Sequence, residues 1–147
     1  MRDELPDPGI TAERTFRVGD EHATTLFGEQ GDPPGAPAAD DAHPDESVDV
    51  LGTPQLLAAA EFLSRESLHG TLPDGVGVVG VRADVTHRKA IPIGRTVRVR
   101  TELTDVTGRK LTFEGTLSGV DSAELVGEVT VRLQAIERAP FLERLDR

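Results

Sequence analysis

Apolar residues follow two rhythms along this chain. From Val50 to Leu63 (VLGTPQLLAAAEFL) they are nearly continuous: Leu51, Leu56, Leu57, Ala58, Ala59, Ala60, Phe62 and Leu63 leave almost no polar face. A helix apolar nearly all round is one that protein encloses. Thr53 offers a capping hydroxyl, and Pro54 suits the first helical position, where a missing N–H costs nothing. His69-Gly70 marks the end, near Leu68. Glu61 interrupts the run, and a carboxylate in such a helix needs a partner, a shifted pKa or a path to water.

After Gly75 the rhythm changes to a period of two, the signature of strands. Residues 75–88 put Val79, Val81, Ala83, Val85 and His87 on one face, with Gly80, Arg82, Asp84 and Thr86 on the other. Residues 95–106 set Val97, Val99 and Leu103 against Arg98, Arg100 and Glu102, and Gly108 carries a tight hairpin turn. Residues 110–120 set Leu111, Phe113, Gly115 and Leu117 against Thr112, Glu114, Thr116 and Ser118. Residues 123–137 set Leu125, Val129, Val131 and Leu133 against Glu128, Thr130, Arg132 and Gln134. Earlier, residues 10–18 (ITAERTFRV) read as a first strand between two glycines, and residues 22–27 as a turn or irregular segment. Residues 28–47 (GEQGDPPGAPAADDAHPDES) lack any periodicity and predict a mobile acidic loop, either a solvated insertion or a lid. The tail APFLERLDR predicts a short helix.

This order predicts a single α+β domain over residues 1–147, with a five-stranded antiparallel sheet wrapped around one central helix. One helix barely covers five strands, so a second copy is expected on the remaining apolar surface and sheet edge, giving a homodimer.

Composition narrows the function classes. Without cysteine there is neither disulfide framework nor thiolate chemistry. No apolar run approaches the roughly 20 residues that span a bilayer, and the N-terminus lacks a signal-peptide pattern, so a cytoplasmic protein with no membrane partner is expected. The net charge of −10 argues against a nucleic-acid partner. Acidic excess with only two lysines, Lys89 and Lys110, also suits a salt-rich cytoplasm, which would screen self-repulsion.

The candidate chemistry is sparse. His22 and His43 sit in acidic, loop-like sequence and are expected in solvent, and His69 suits a helix C-terminus. His87 ends its strand on the apolar face, where it is either a packed core histidine or a functional one. Glu61 could pair with Arg65 one turn on. Thr53 and Glu61 lie eight residues apart, about 12 Å along a helix, too far to touch each other but within reach of one substrate. There is no His/Cys ligand spacing for a metal, no phosphate loop and no G-x-S-x-G nucleophile motif.

Two segments carry a family resemblance: LGTPQLLAAAEF, with a Thr and a Glu eight residues later, and GVRADVTHRKAIPIG, with V-T-H and a Gly seven before the His. Together they resemble the fluoroacetyl-CoA thioesterase-like family of hotdog-fold thioesterases, over residues 10–137 and most closely over 50–107. The resemblance implies hydrolysis of an acyl-CoA thioester at a dimer interface, with CoA as part of the substrate and no separate cofactor or metal. It implies that Thr53, Glu61 and His87 are catalytic and that Gly80 lies near the thioester carbonyl. His87 would be general base and then acid, Glu61 would attack the carbonyl or orient water, and Thr53 would position one of them. The segment that bears gating phenylalanines in the fluoroacetyl-specific enzyme reads DAHPDESVDV here, without an aromatic, so another acyl group is expected. Arg88, Lys89 and Arg95 are candidates for the CoA phosphates. Two other readings stay open, a non-catalytic acyl- or CoA-binding hotdog protein and an enoyl-CoA hydratase-type enzyme.

Overall fold

A computed structural model describes residues 4–28, 30 and 46–145. Most of the 28–47 loop therefore lies outside the described residues, as does His43. In chain order the elements are β1 (Thr11–Arg17), β2 (Ala23–Leu26), β3 (Val48–Leu51), α1 (Thr53–Ser67), β4 (Val76–His87), β5 (Thr96–Thr107), β6 (Lys110–Gly119), β7 (Leu125–Glu137) and α2 (Arg138–Arg144). Five strands form one antiparallel sheet in the order β1-β5-β6-β7-β4, and β2 pairs with β3 in a separate two-stranded sheet.

The long strands form where the period-two pattern lies. Their inner face joins Val97, Val99 and Leu103 of β5, Leu111, Phe113 and Leu117 of β6, and Val129, Val131, Leu133 and Ala135 of β7. Leu56, Ala60 and Leu63 of α1 pack into this surface. Gly108, at φ 62°, makes the two-residue turn between β5 and β6. At Gly70, at φ 82°, the chain leaves α1 in the left-handed conformation glycine favours.

Several expectations from the pattern need correction. The helix is not enclosed on all sides: Phe62 is 58% exposed, Leu57, Ala58 and Ala59 are half-buried, and one sheet covers only one side. Thr53 is not the cap. Gly52 is, with no capping side chain, which moves Pro54 to the second helical position. Residues 23–26 and 48–51, too short to show a pattern, are paired strands.

The faces of β4 also differ from strict alternation. Its register against β7 shifts between Gly80 and Arg82, a bulge centred on Val81. Gly80 pairs with Leu133 and His87 with Gly127, so both lie on the inner face with Val85, while Val81 is exposed. The extra residue moves Val79 and Val81 outward and brings Gly80 in. A second shift, between β6 and β7, buries Val126 and turns Leu125 outward.

Candidate active site

The start of α1 is fixed from several directions. The Gly52 N–H donates to the His22 carbonyl at 2.8 Å, and the Leu51 N–H donates to the Ile91 carbonyl at 2.7 Å. A Cβ on Gly52 would lie 2.5 Å from Thr24 Oγ1, so β2 packs against the helix start at glycine distance. His22 is part of this support rather than a solvated side chain. Its Nδ1 accepts from the Gly19 N–H at 3.0 Å, and its ring lies 4.9 Å from that of Phe16. His69 is exposed just beyond the helix end.

At this fixed point Thr53 and His87 meet. Thr53 Oγ1 lies 2.8 Å from His87 Nδ1 in a hydrogen bond. The threonine hydroxyl is thus used across the structure, on a strand 34 residues away, and not on its own helix. Opposite it on the ring, His87 Nε2 is buried and has no hydrogen-bond partner among the described residues. A buried polar atom of that kind calls for an explanation. Gly127 faces His87 across the β4–β7 pair, and the missing side chain lets Leu56 pack close. The pair opens onto a cleft of about 350 Å³ lined by Leu26, Val50, Leu51 and Ala90 together with Arg88 and Lys89.

Glu61 and Gly80 form a second juxtaposition. A Cβ on Gly80 would lie 3.3 Å from Glu61 Oε1, so the carboxylate rests against bare backbone. The Glu61 side chain is 25% exposed, and its Oε2 lies 4.0 Å from Arg65 Nη1. Two helical turns separate it from Thr53, about 12 Å along the axis. One chain therefore builds two half-sites, Thr53 with His87 and Glu61 with Gly80, and does not bring all four together.

The three cations proposed for phosphate contact divide. Arg88 Nε lies 2.6 Å from Glu128 and Lys89 pairs with Glu124, whereas Arg95 has no carboxylate partner among the described residues. Lys89 and Ala90 also wall a neighbouring cleft of about 270 Å³ that contains Arg95. No cluster of three or more His, Cys, Asp or Glu suited to a metal occurs among the described residues. No helix there is long and apolar enough to cross a membrane.

A five-stranded antiparallel sheet on one long helix, with a Thr–His pair at the helix start, is a hotdog-type domain. The fluoroacetyl-CoA-specific thioesterase family, FlK, matches residues 37–139, more than two thirds of the chain. The chain belongs to that family and is an acyl-CoA thioester hydrolase. Solved structures agree on the fold. A point mutant of the fluoroacetyl-CoA-specific thioesterase FlK, in complex with fluoroacetate and CoA, is 25% identical with a TM-score of 0.73, covering 92% of this chain and 99% of that one. A thioesterase superfamily member from Thermus thermophilus is 16% identical with a TM-score of 0.74, covering 95% and 89%. A hot-dog-like protein from Thermanaerovibrio acidaminovorans is 16% identical with a TM-score of 0.72, covering 97% and 91%. No curated protein sequence matches the chain.

Proposed function

We propose that this enzyme hydrolyses an acyl-CoA whose acyl group is larger than fluoroacetyl, at a site shared by two copies of the chain. The observation that carries the reading is the 2.8 Å bond from Thr53 to His87 Nδ1, which leaves Nε2 buried and unpaired beside the helix start. Thr53 holds the ring, and Nε2 serves as the base toward water and then as the acid toward the departing thiolate. With no capping side chain on α1, the N–H groups of its first turn are available to a developing oxyanion, and the positive end of the helix favours it. Glu61 acts on the thioester carbonyl as nucleophile or through a water, and Gly80 gives the carbonyl access to the strand.

Two features support the acyl and dimer assignments. Leu26, Val50, Leu51 and Ala90 give the cleft beside Thr53 an apolar part next to Arg88 and Lys89, and β3, which enters it, carries no aromatic side chain to narrow it. The outer edge of β4 has no strand partner among the described residues, while Phe62 and Val81 are exposed. A second copy joined along β4 would cover them and set the partner's Glu61 opposite Thr53 and His87. Water as the consumed co-substrate, CoA as the leaving group and no metal complete the reaction. The acidic chain works in the cytoplasm.

The test is thiol release from fluoroacetyl-, acetyl-, medium-chain and aryl-CoA. Wild type is expected to turn over a larger thioester faster than fluoroacetyl-CoA, and His87→Ala to lose about two or more orders of magnitude. Tight binding without thiol release from any of them would instead identify a non-catalytic acyl-CoA binder. A change in enoyl absorbance without thiol release would identify a hydratase.

A further inference from the structure

The sheet beneath Glu61 carries no charge that could hold it. The inner positions of β5, β6 and β7 around α1 are Val97, Val99, Thr101 and Leu103, then Leu111, Phe113, Gly115 and Leu117, then Val129, Val131, Leu133 and Ala135. On β4 the inner neighbours are Val78, Gly80, Ala83 and Val85, and His87, the one ionisable group on that face, is at the far end beside Thr53. Towards β1, Arg14 is already committed to Glu66 at 2.7 Å. Arg65 is what remains. It lies one helical turn from Glu61, with Nη1 4.0 Å from Oε2, and it has no other carboxylate partner among the described residues.

We propose that Arg65 is a positioning residue for Glu61, holding Oε2 so that Oε1 stays against the Gly80 backbone. The inference rests on the role given to Glu61 above and goes beyond it by naming what sets the carboxylate's direction. At 4.0 Å the contact is a charge attraction rather than a hydrogen bond. Its effect on stability is therefore small, because exposed i,i+4 pairs contribute little to folding. Its effect on rate is larger, since the geometry of a reacting group affects turnover far more than it affects folding. Within one chain, a carboxylate on an otherwise uncharged face has no second anchor: Gly80 supplies room on one side and no bond. Without Arg65 the carboxylate would be free to swing toward solvent, to which it is already 25% exposed.

The experiment compares wild type, Arg65→Gln, Arg65→Lys and Glu61→Gln in thiol release from the preferred acyl-CoA, with melting temperature measured alongside. Arg65→Gln should lower kcat about tenfold, leave KM within about twofold, and leave the melting temperature close to wild type. Arg65→Lys should recover most of the loss, because a charge at this distance needs no guanidinium fork. If Arg65→Gln keeps wild-type kcat while Glu61→Gln is inactive, the positioning role is wrong and Arg65 is an ordinary surface cation. If Lys fails to rescue, attraction between charges is not the cause and the inference also falls. Absence of turnover in wild type, or full activity in Glu61→Gln, would instead overturn the catalytic reading on which it rests.

Discussion

At Thr53 a single hydroxyl had two possible uses, and they predict different mutants. A capping threonine replaced by a residue without a hydroxyl costs about 1 kcal/mol of stability. A threonine bonded to His87 and exposed at the helix start costs little stability but weakens the alignment of the ring. Thr53→Val should therefore shift the urea midpoint by less than the equivalent of about 0.5 kcal/mol. The same variant should lower kcat/KM roughly tenfold, the equivalent of one lost hydrogen bond, while Thr53→Ser keeps most activity. Gly80→Ala belongs to the same scale. Its new methyl would press on Glu61 Oε1 from 3.3 Å, so turnover should fall about tenfold with the melting temperature nearly unchanged, a split that kinetics and a thermal melt would check together. At this scale the sequence marked unusual positions but not their partners. Glu61 stands out in the sequence as an anomaly in an apolar helix and His87 as a polar group on an apolar strand face, but Thr53 reads there as an ordinary cap, and nothing local could say that its hydroxyl would cross to a strand 34 residues away.

Between elements, the controlling quantity is the distance from α1 to the sheet. Gly127 sets it near the site: a Cβ there would come within 2.7 Å of Leu56 Cδ1 and 3.0 Å of the Thr86 carbonyl oxygen. Backbone does not yield as a flexible side chain does, so Gly127→Ala should destabilise the fold by about 1–3 kcal/mol, visible as a lower urea midpoint at unchanged slope. Gly115, whose Cβ would meet Ala60 and Thr101 at 3.4 Å, should tolerate Ala better in the same measurement. The strands themselves were legible because each shows one wet and one dry face. What the alternation missed was its own interruptions. A single added residue at Val81 exchanges the faces of everything before it, which is why Gly80 looked opposed to His87 in the sequence and lies on the same side in the fold. Bulges leave no compositional mark here, since Val81 is as good a strand residue as its neighbours. Likewise β2 and β3, at four residues each, are too short to establish a rhythm.

For the whole molecule, exposure and charge give separate predictions. Phe62 on α1 and Val81 on β4 would both be covered in the proposed dimer, so Phe62→Arg should yield monomers by sedimentation and lose activity together with the assembly. A variant that stays dimeric and active would place the interface elsewhere. The net charge of −10 opposes compaction, and molar KCl should therefore raise the melting temperature. The paired stems of β2 and β3 have a broader consequence. Leu26 and Val48 face each other across the short ladder, so the end of β2 and the start of β3 lie about 5 Å apart. The pairing of those strands delivers Gly52 to its seat against Thr24. Gln30, four residues beyond β2, reaches back to that strand: its Oε1 accepts from the Thr25 N–H at 2.7 Å and its Nε2 donates to the Ala23 carbonyl at 3.4 Å, so the seat of the catalytic helix rests on that amide as well as on the two strands.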